Sequence, residues 1–352
     1  LAEQQAEQTD QAAPRKIVKI LLITGAVIMA CLVLLTAIAG GAFLFAKQRF
    51  DVAGSLAPNG SIETIFDLPR GQGLGQITQR LADARVISNS LIFRAGVVWY
   101  GAAGDLKAGE YSIPSRSSMR EIMELLRSGK SILYRITIPE GLTSAQVIRL
   151  VEADPVLVGE AKEVPLEGGL LPETYLFQRG MSRNDLIEQM LTAHDNVLSE
   201  LWQGRSENLP FSTPEEAVIL ASIVEKETAV AEERVRVAAV FVNRLKRNMR
   251  LESDPTIIYG LTQGEPLGRG LRQSELKKVT PYNTYEVDGL PPTPIANAGR
   301  ASLAAVLNPL DTKELFFVAD GNGGHVFAET YRQHQRNVAA WRRIERARAN
   351  QP

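Results

Sequence analysis

Cysteine is almost absent from this chain. The single one, Cys31, lies inside an apolar run near the start, which excludes an intramolecular disulfide and any paired-cysteine metal or redox site. Histidine is nearly as scarce. His194, His325 and His334 stand far apart without metal-ligand spacing and read as surface or loop residues. No nucleophile elbow and no P-loop is present, and the Gly71–Gly75 cluster follows no dinucleotide-binding pattern and reads as a loop. The reading is therefore of a protein with no metal and no cofactor. An excess of either charge is missing too: 39 basic residues face 40 acidic ones, which gives no electrostatic footprint for nucleic acid.

Charge is wholly absent from Ile20 to Ala46, a run longer than the ~20 residues a bilayer-crossing helix needs. A cleaved signal peptide is the alternative, with Ala37-Ile38-Ala39 as its cleavage site. Its apolar segment is usually only ~7–15 residues, so a retained anchor is the better reading. Arg15, Lys16 and Lys19 precede the run and Lys47 and Arg49 follow it, a slight bias toward a cytoplasmic N-terminus. Residues 1–14, rich in Gln, Ala and Glu, read as disordered.

What the chain does contain begins with a repeated theme. LPRGQGLGQITQRL from Leu68, IPSRSSMREIMELL from Ile113 and IPEGLTSAQVIRLV from Ile138 align on a proline. Apolar residues follow eight positions later (Ile77, Ile122, Val147) and twelve positions later (Leu81, Leu126, Val151). Each segment predicts a strand end, a turn and a short amphipathic helix, hence a small α+β module in which helices cover a sheet. Nothing in these segments carries chemistry, so scaffolding and ligand binding are equally open.

A polar stretch from Asp154 to Gly169 marks a boundary. Beyond it the patterns predict an extended run to Phe177, a helix over 182–201, a second over 213–228, and a third over 231–247. A short helix after Ser253-Asp254-Pro255, a hairpin over 314–328 and a basic amphipathic helix over 330–349 follow. Pro291, Pro292 and Pro294 force a rigid, extended path that suits a cleft wall.

The central stretch is TPEEAVILASIVEKET, Thr213 to Thr228. Thr213 as N-cap, Pro214 at the first helical position and Glu216 three residues after the cap form a strong helix start. From Ala217 to Val224 nothing is charged, so the helix is expected to run through a core. It delivers Glu225 at its end, one turn beyond Ala221 and Ser222, whose small side chains would leave room for a ligand. A carboxyl at a partly buried helix C-terminus loses hydration and feels the negative end of the dipole, and both favour the neutral form a general acid needs. One such carboxyl, without metal or nucleophile, fits glycosidic-bond cleavage in which the substrate's own hydroxyl attacks. From spacing alone, a helix-terminal glutamate that merely meets solvent or a lysine is the commoner case. Glu227 lies about 200° further around the helix and is expected to form a structural salt bridge.

The string Ala221–Thr228, with Phe241-Val242-Asn243-Arg244-Leu245, Ser253–Gly260, Tyr282-Asn283-Thr284-Tyr285 and Gly289–Asn297, resembles the YceG/MltG family of endolytic murein transglycosylases. The motifs stand in the family's order from about Ser61 onward. Ala298 departs from it, since proline is usual there, and a looser loop is expected. The resemblance implies an α+β chain with four parts: a cytoplasmic tail (1–16), a transmembrane anchor (17–46), a LysM-like module (60–155) and a catalytic domain (165–348). It places the chain at the inner membrane, single-pass, with the catalytic domain in the periplasm, acting on peptidoglycan glycan strands beside cell-wall synthesis proteins. Glu225 matches the family's catalytic glutamate. Asn243, Asp254, Thr256, Tyr259, Asn283, Thr284 and Tyr285 are the expected cleft lining, with Glu173 a candidate for the opposite wall and Asp254 equally a plain helix cap. The rival readings are a hydrolytic muramidase pairing Glu225 with Asp254 or Glu173, and a non-enzymatic wall-binding scaffold.

Overall fold

A computed structural model describes residues 12–57 and 60–349. The fold is α+β, and its contacts divide it into two compact units, one ending at Ile132 and the other starting at Leu133.

In the first unit, α1 (Ala12–Asp51) is a single helix of 40 residues. Among the described residues it is the one helix long and apolar enough to cross a membrane. Residues 1–11 of the expected disordered stretch lie outside the described residues, whereas 12–14 are helical as the first residues of α1, ahead of Arg15, Lys16 and Lys19. Then come β1 (Glu63–Leu68), α2 (Leu74–Asp83), α3 (Ser90–Trp99), β2 (Gly109–Pro114) and α4 (Met119–Ser128). β1 and β2 pair antiparallel with Phe66 opposite Tyr111. Their alternate residues Phe66, Leu68, Tyr111 and Ile113 point into one core with Leu81, Phe93, Ile122 and Leu126. α4 is closed at both ends. Ser118 and Glu121 form a reciprocal capping box, and Gly129 terminates the helix at φ 73°, a conformation glycine adopts without steric cost.

The second unit begins with β3 (Leu133–Thr137) and α5 (Ser144–Ala153). All three proline-aligned segments thus form strand, turn and helix as the pattern predicts, but the strands do not share a sheet. β3 pairs with β4 (Thr174–Gln178), and the third segment packs with the later part of the chain. The cause is visible in β4: Tyr175 and Phe177 alternate inward beside Ile138, Val147 and Leu186.

α6 (Arg183–Gln203) follows, capped by Ser182. His194 on this helix is 5 % exposed, a buried residue rather than the expected surface one, and burial holds its pKa below the usual histidine value. α7 (Pro214–Glu227) has the predicted capping box, with the Thr213 hydroxyl accepting from the Glu216 N–H and the Glu216 carboxylate accepting from the Thr213 N–H. Its residues Ala217, Val218, Leu220, Ala221, Ile223 and Val224 are buried against α8 (Arg234–Lys246) and α11 (Arg300–Leu307). α9 (Asp254–Thr262) and α10 (Gln273–Leu276) lie between those two in sequence, and β5 (Phe316–Ala319), β6 (His325–Ala328) and α12 (Tyr331–Ala349) close the chain. α7 is the central helix of the second unit, and its C-terminus is where polar chemistry emerges from the core.

Candidate active site

Four chain segments converge where α7 ends. Glu225 is nearly sealed, with its side chain 5 % exposed. One carboxylate oxygen accepts a hydrogen bond from the Gly299 N–H at 3.0 Å, and the other stands 3.8 Å from the Arg234 guanidinium. Arg234 also donates to Glu140, at 3.2 Å. Glu140 comes from the Ile138-Pro139-Glu140-Gly141 turn after β3 and is in hydrogen-bond contact with Glu225. Burial first, and the Glu225 charge second, hold the Glu140 carboxyl above its usual range, and Arg234 partly offsets both. The neighbouring Glu225 charge thus adds to burial in favouring the neutral form of Glu140.

The surrounding backbone fixes this geometry. Lys226, the residue after Glu225, donates from Nζ to the Gly141 carbonyl at 3.1 Å, so α7 itself holds the turn carrying Glu140. On the other side the Gly141 N–H donates to the Asn297 carbonyl at 3.0 Å and the Asn297 N–H to the Leu142 carbonyl at 2.8 Å. The Asn297 side chain then accepts from the Leu170 N–H at 2.9 Å and donates to the Leu142 carbonyl at 3.0 Å. At Gly299 a side chain would meet the Glu140 carboxyl, which would have to swing aside from its place at the start of α11. Ala298, where a looser loop is expected, is buried between these ties and adds to the core.

The expected room beside Ala221 and Ser222 is occupied. Both are fully buried, and the Ser222 hydroxyl accepts from the Ile295 N–H at 3.0 Å. The proline-rich segment packs onto α7 as a clamp, which accounts for its rigidity. Open space lies one residue further along the helix. A hollow of about 330 Å³ is lined by Gly141, Thr143, Lys226, Tyr259, Gly264 and Ile295, sharing Gly141 and Lys226 with the acid pair.

Glu227 has different surroundings. In place of the expected salt bridge, its carboxylate accepts from the Ser253 hydroxyl at 2.5 Å. Burial is the largest influence on it. Asp254 reinforces that effect, Ser253, His325 and Arg244 oppose it, and the pKa is pushed up to about 7.

The remaining predicted site residues divide. Tyr259 lines the hollow, its hydroxyl donating to Glu167 at 3.2 Å. Asp254 is exposed as the first residue of α9 rather than its cap, which is Ser253, and accepts from the Tyr285 hydroxyl at 2.8 Å. Thr256, Asn283 and Thr284 are fully buried. Thr256 and Thr284 share a hydroxyl contact of 2.9 Å, and the Asn283 amide donates to the Leu276 and Lys278 carbonyls at 3.0 and 2.7 Å. The Asn243 amide donates to the carbonyls of Thr312 and Glu314. These four residues hold loops in place and present no free donor to a cleft. Glu173 is exposed. Its carbonyl accepts from the Ile138 N–H, and its charge is felt by Arg300.

Glu140 and Arg234 are the site residues that sequence reasoning missed. A signal was present: of the three proline-aligned segments, only the third follows its proline with an acid, where the others have Arg70 and Ser115.

Comparison with known proteins supplies the relatives. The YceG-like family model matches residues 66–340. The endolytic murein transglycosylase of Bacillus subtilis is 30% identical over 331 residues, covering 85% of this chain and 89% of that protein. The endolytic murein transglycosylase of Streptococcus pneumoniae D39 is also 30% identical, over 363 residues and 89% of this chain. This chain spans only 65% of the pneumococcal protein's length. A crystal structure of a yceG-like protein from Listeria monocytogenes is 28% identical, covers 78% of this chain and 98% of its own, and superposes with a TM-score of 0.47. With a family match extending from β1 into α12, the chain belongs to the YceG-like family.

Proposed function

We propose that this protein is an endolytic murein transglycosylase, a lyase that cuts the β-1,4 bond between N-acetylmuramic acid and N-acetylglucosamine within peptidoglycan strands. The observation that carries the reading is the convergence of Glu140, Arg234 and the Gly299 N–H on Glu225 at the end of a buried helix. In this reading Glu225 protonates the leaving glycosidic oxygen. As a carboxylate it then takes the proton from the muramyl C6 hydroxyl, whose oxygen attacks C1 and closes a 1,6-anhydro ring. The proton returns to Glu225, and no water is consumed. Attack from within the same sugar gives the nucleophile a high effective concentration, so no second carboxylate is needed as a base.

Glu140 has a different task. Its carboxyl, held above the usual range by burial and by the Glu225 charge, adds a second acid beside Glu225, and Arg234 offsets the negative charge there. The hollow beside Gly141 and Lys226, with Tyr259 on its wall, has the size and aromatic edge to take a sugar ring. Two-carboxylate hydrolases hold their acids roughly 5–9.5 Å apart to admit a nucleophilic attack or a water. The hydrolytic rival needs Asp254 or Glu173 as the second acid, but Asp254 is engaged by the Tyr285 hydroxyl and the carboxyl acting on Glu225 is that of Glu140.

The long apolar helix α1 is read as a single-pass inner-membrane anchor with a cytoplasmic N-terminus, so that the chain after α1 lies in the periplasm. Residues 60–155 are read as the LysM-like module, of which the part after Ile132 folds with the second unit, and cell-wall synthesis proteins are the expected partners. Cutting within strands would limit the length of nascent glycan. Mass analysis of products from isolated glycan strands tests the assignment. Anhydro ends, lighter than reducing ends by one water, are expected from the wild type and not from Glu225→Gln. Reducing ends would instead identify a hydrolase, and binding without cleavage would identify a scaffold.

A further inference from the structure

α3 has one face that the core does not use. Phe93 and Val97 are fully buried, while Leu91, Val98 and Trp99 on the opposite side are 75%, 58% and 67% exposed. With Ala95 these occupy positions i, i+4, i+7 and i+8, a stripe along about two turns. The helix is well made: the Asn89 side chain accepts from the Leu91 and Ile92 amides, each at 3.0 Å. Large apolar groups on a stable helix, left in water, mark a surface meant to be covered.

The helix beside it indicates the cover. α3 packs against the last turns of α1, where Gly96 leaves room for the Phe50 ring, which a side chain there would overlap. Phe50 in turn lies 5.8 Å from Tyr100, stacked, and the Trp99 ring lies 4.8 Å from Phe43. Phe43 belongs to the uncharged run that closes at Ala46, and Lys47 and Arg49 come next. At 1.5 Å of rise per residue, Phe43 lies about 6 Å to the lipid side of Lys47. Trp99 therefore sits at the depth where hydrocarbon gives way to headgroups, a level that indole rings favour. The covering surface is continuous with the surface that surrounds α1.

We propose that α3 is an interfacial membrane helix, with Leu91, Val98 and Trp99 dipped into the bilayer beside the anchor, so that the first unit is held flat on the membrane by two elements. The proposal rests on reading α1 as a membrane span, and the test separates the two.

The full chain carrying Trp202→Phe and Trp341→Phe, which leaves Trp99 as the only indole, is reconstituted into phosphatidylcholine/phosphatidylglycerol vesicles. A polarity-sensitive dye on Cys31, the only thiol, reports whether the span is inserted. Expected is an apolar signal from Cys31 together with blue-shifted Trp99 emission. Lipids brominated near the carbonyl end should quench that emission at least twofold more than lipids brominated at the chain terminus. Leu91→Ser with Val98→Ser should reduce the quenching while Cys31 stays apolar. Trp99 reached by aqueous acrylamide, with Cys31 apolar, would overturn the proposal and leave the anchor standing. A blue-shifted Trp99 untouched by any brominated lipid would also overturn it, since protein would then be the cover. Cys31 in water would overturn the anchor and the proposal together.

Discussion

Glu225 and Glu227 stand two residues apart on one helix and meet opposite surroundings. Glu225 faces a backbone N–H, a guanidinium and a second carboxyl, all delivered by distant segments. Glu227 accepts from one hydroxyl and feels Asp254, His325 and Arg244, but burial dominates and pushes its pKa up to about 7. A raised pKa by itself would select Glu227 as the acid. The difference teaches that a perturbed titration marks desolvation, whereas a reacting group needs partners arranged around it and a neighbouring hollow. Glu225 has both.

The strongest way to break that comparison is to neutralise each residue in turn. Glu225→Gln should reduce cleavage of glycan strands by about 10³-fold or more with an unchanged circular dichroism spectrum. If Glu227→Gln did so instead, the roles would have to be exchanged. Glu140→Gln should be milder, about tenfold in kcat/KM at neutral pH. Its signature is the pH profile, from which the titration of Glu140 itself, held above the usual carboxyl range, should disappear. A uniform drop across all pH values would reduce Glu140 to a structural part.

Glu227→Gln sharpens the other side. The folded carboxyl titrates near 7, above the 4.5 of an exposed one, so the folded state binds more protons between those values. Wild-type stability should therefore fall as pH rises from about 4.5 to 7, by at most about 3 kcal/mol, and level off above that. Urea titrations of Glu227→Gln should show a flatter dependence over that window, with activity within about threefold of wild type. The smallest effect belongs to the far end of the same helix. Thr213→Ala removes the cap and should cost about 1 kcal/mol at every pH, with no change in the pH–rate profile.

Much of the scaffold was legible because its signals are local. Thr213, Pro214 and Glu216 begin α7 as their types and spacing require, Ser182 caps α6, and the apolar stretch 217–224 is buried. Glu225 was legible as a carboxyl leaving a core. Its partner was not, because Glu140 lies 85 residues earlier in a segment that looks like its two sister repeats. The polar lining was misjudged for a related reason. Asn283 and Asn243 have the composition of sugar-binding residues, but nothing local shows that backbone carbonyls already take their donors. The sheet pairing of β3 with β4 was hidden in the same way, since strand partners separated by a loop leave no periodic trace.

The Asn297 clamp has a consequence for how the enzyme comes into being. This side chain ties to Leu142, 155 residues earlier, and to Leu170, 127 residues earlier. A chain emerging N-terminus first completes α5 and α7 long before Asn297 and Gly299 arrive. Contacts of such long separation form late, after the costly loop closure between them. Until then Glu225 has no backbone donor, and the turn carrying Glu140 has nothing to lock it. The surroundings of Glu225 are therefore completed only after residues 297–299 have been made.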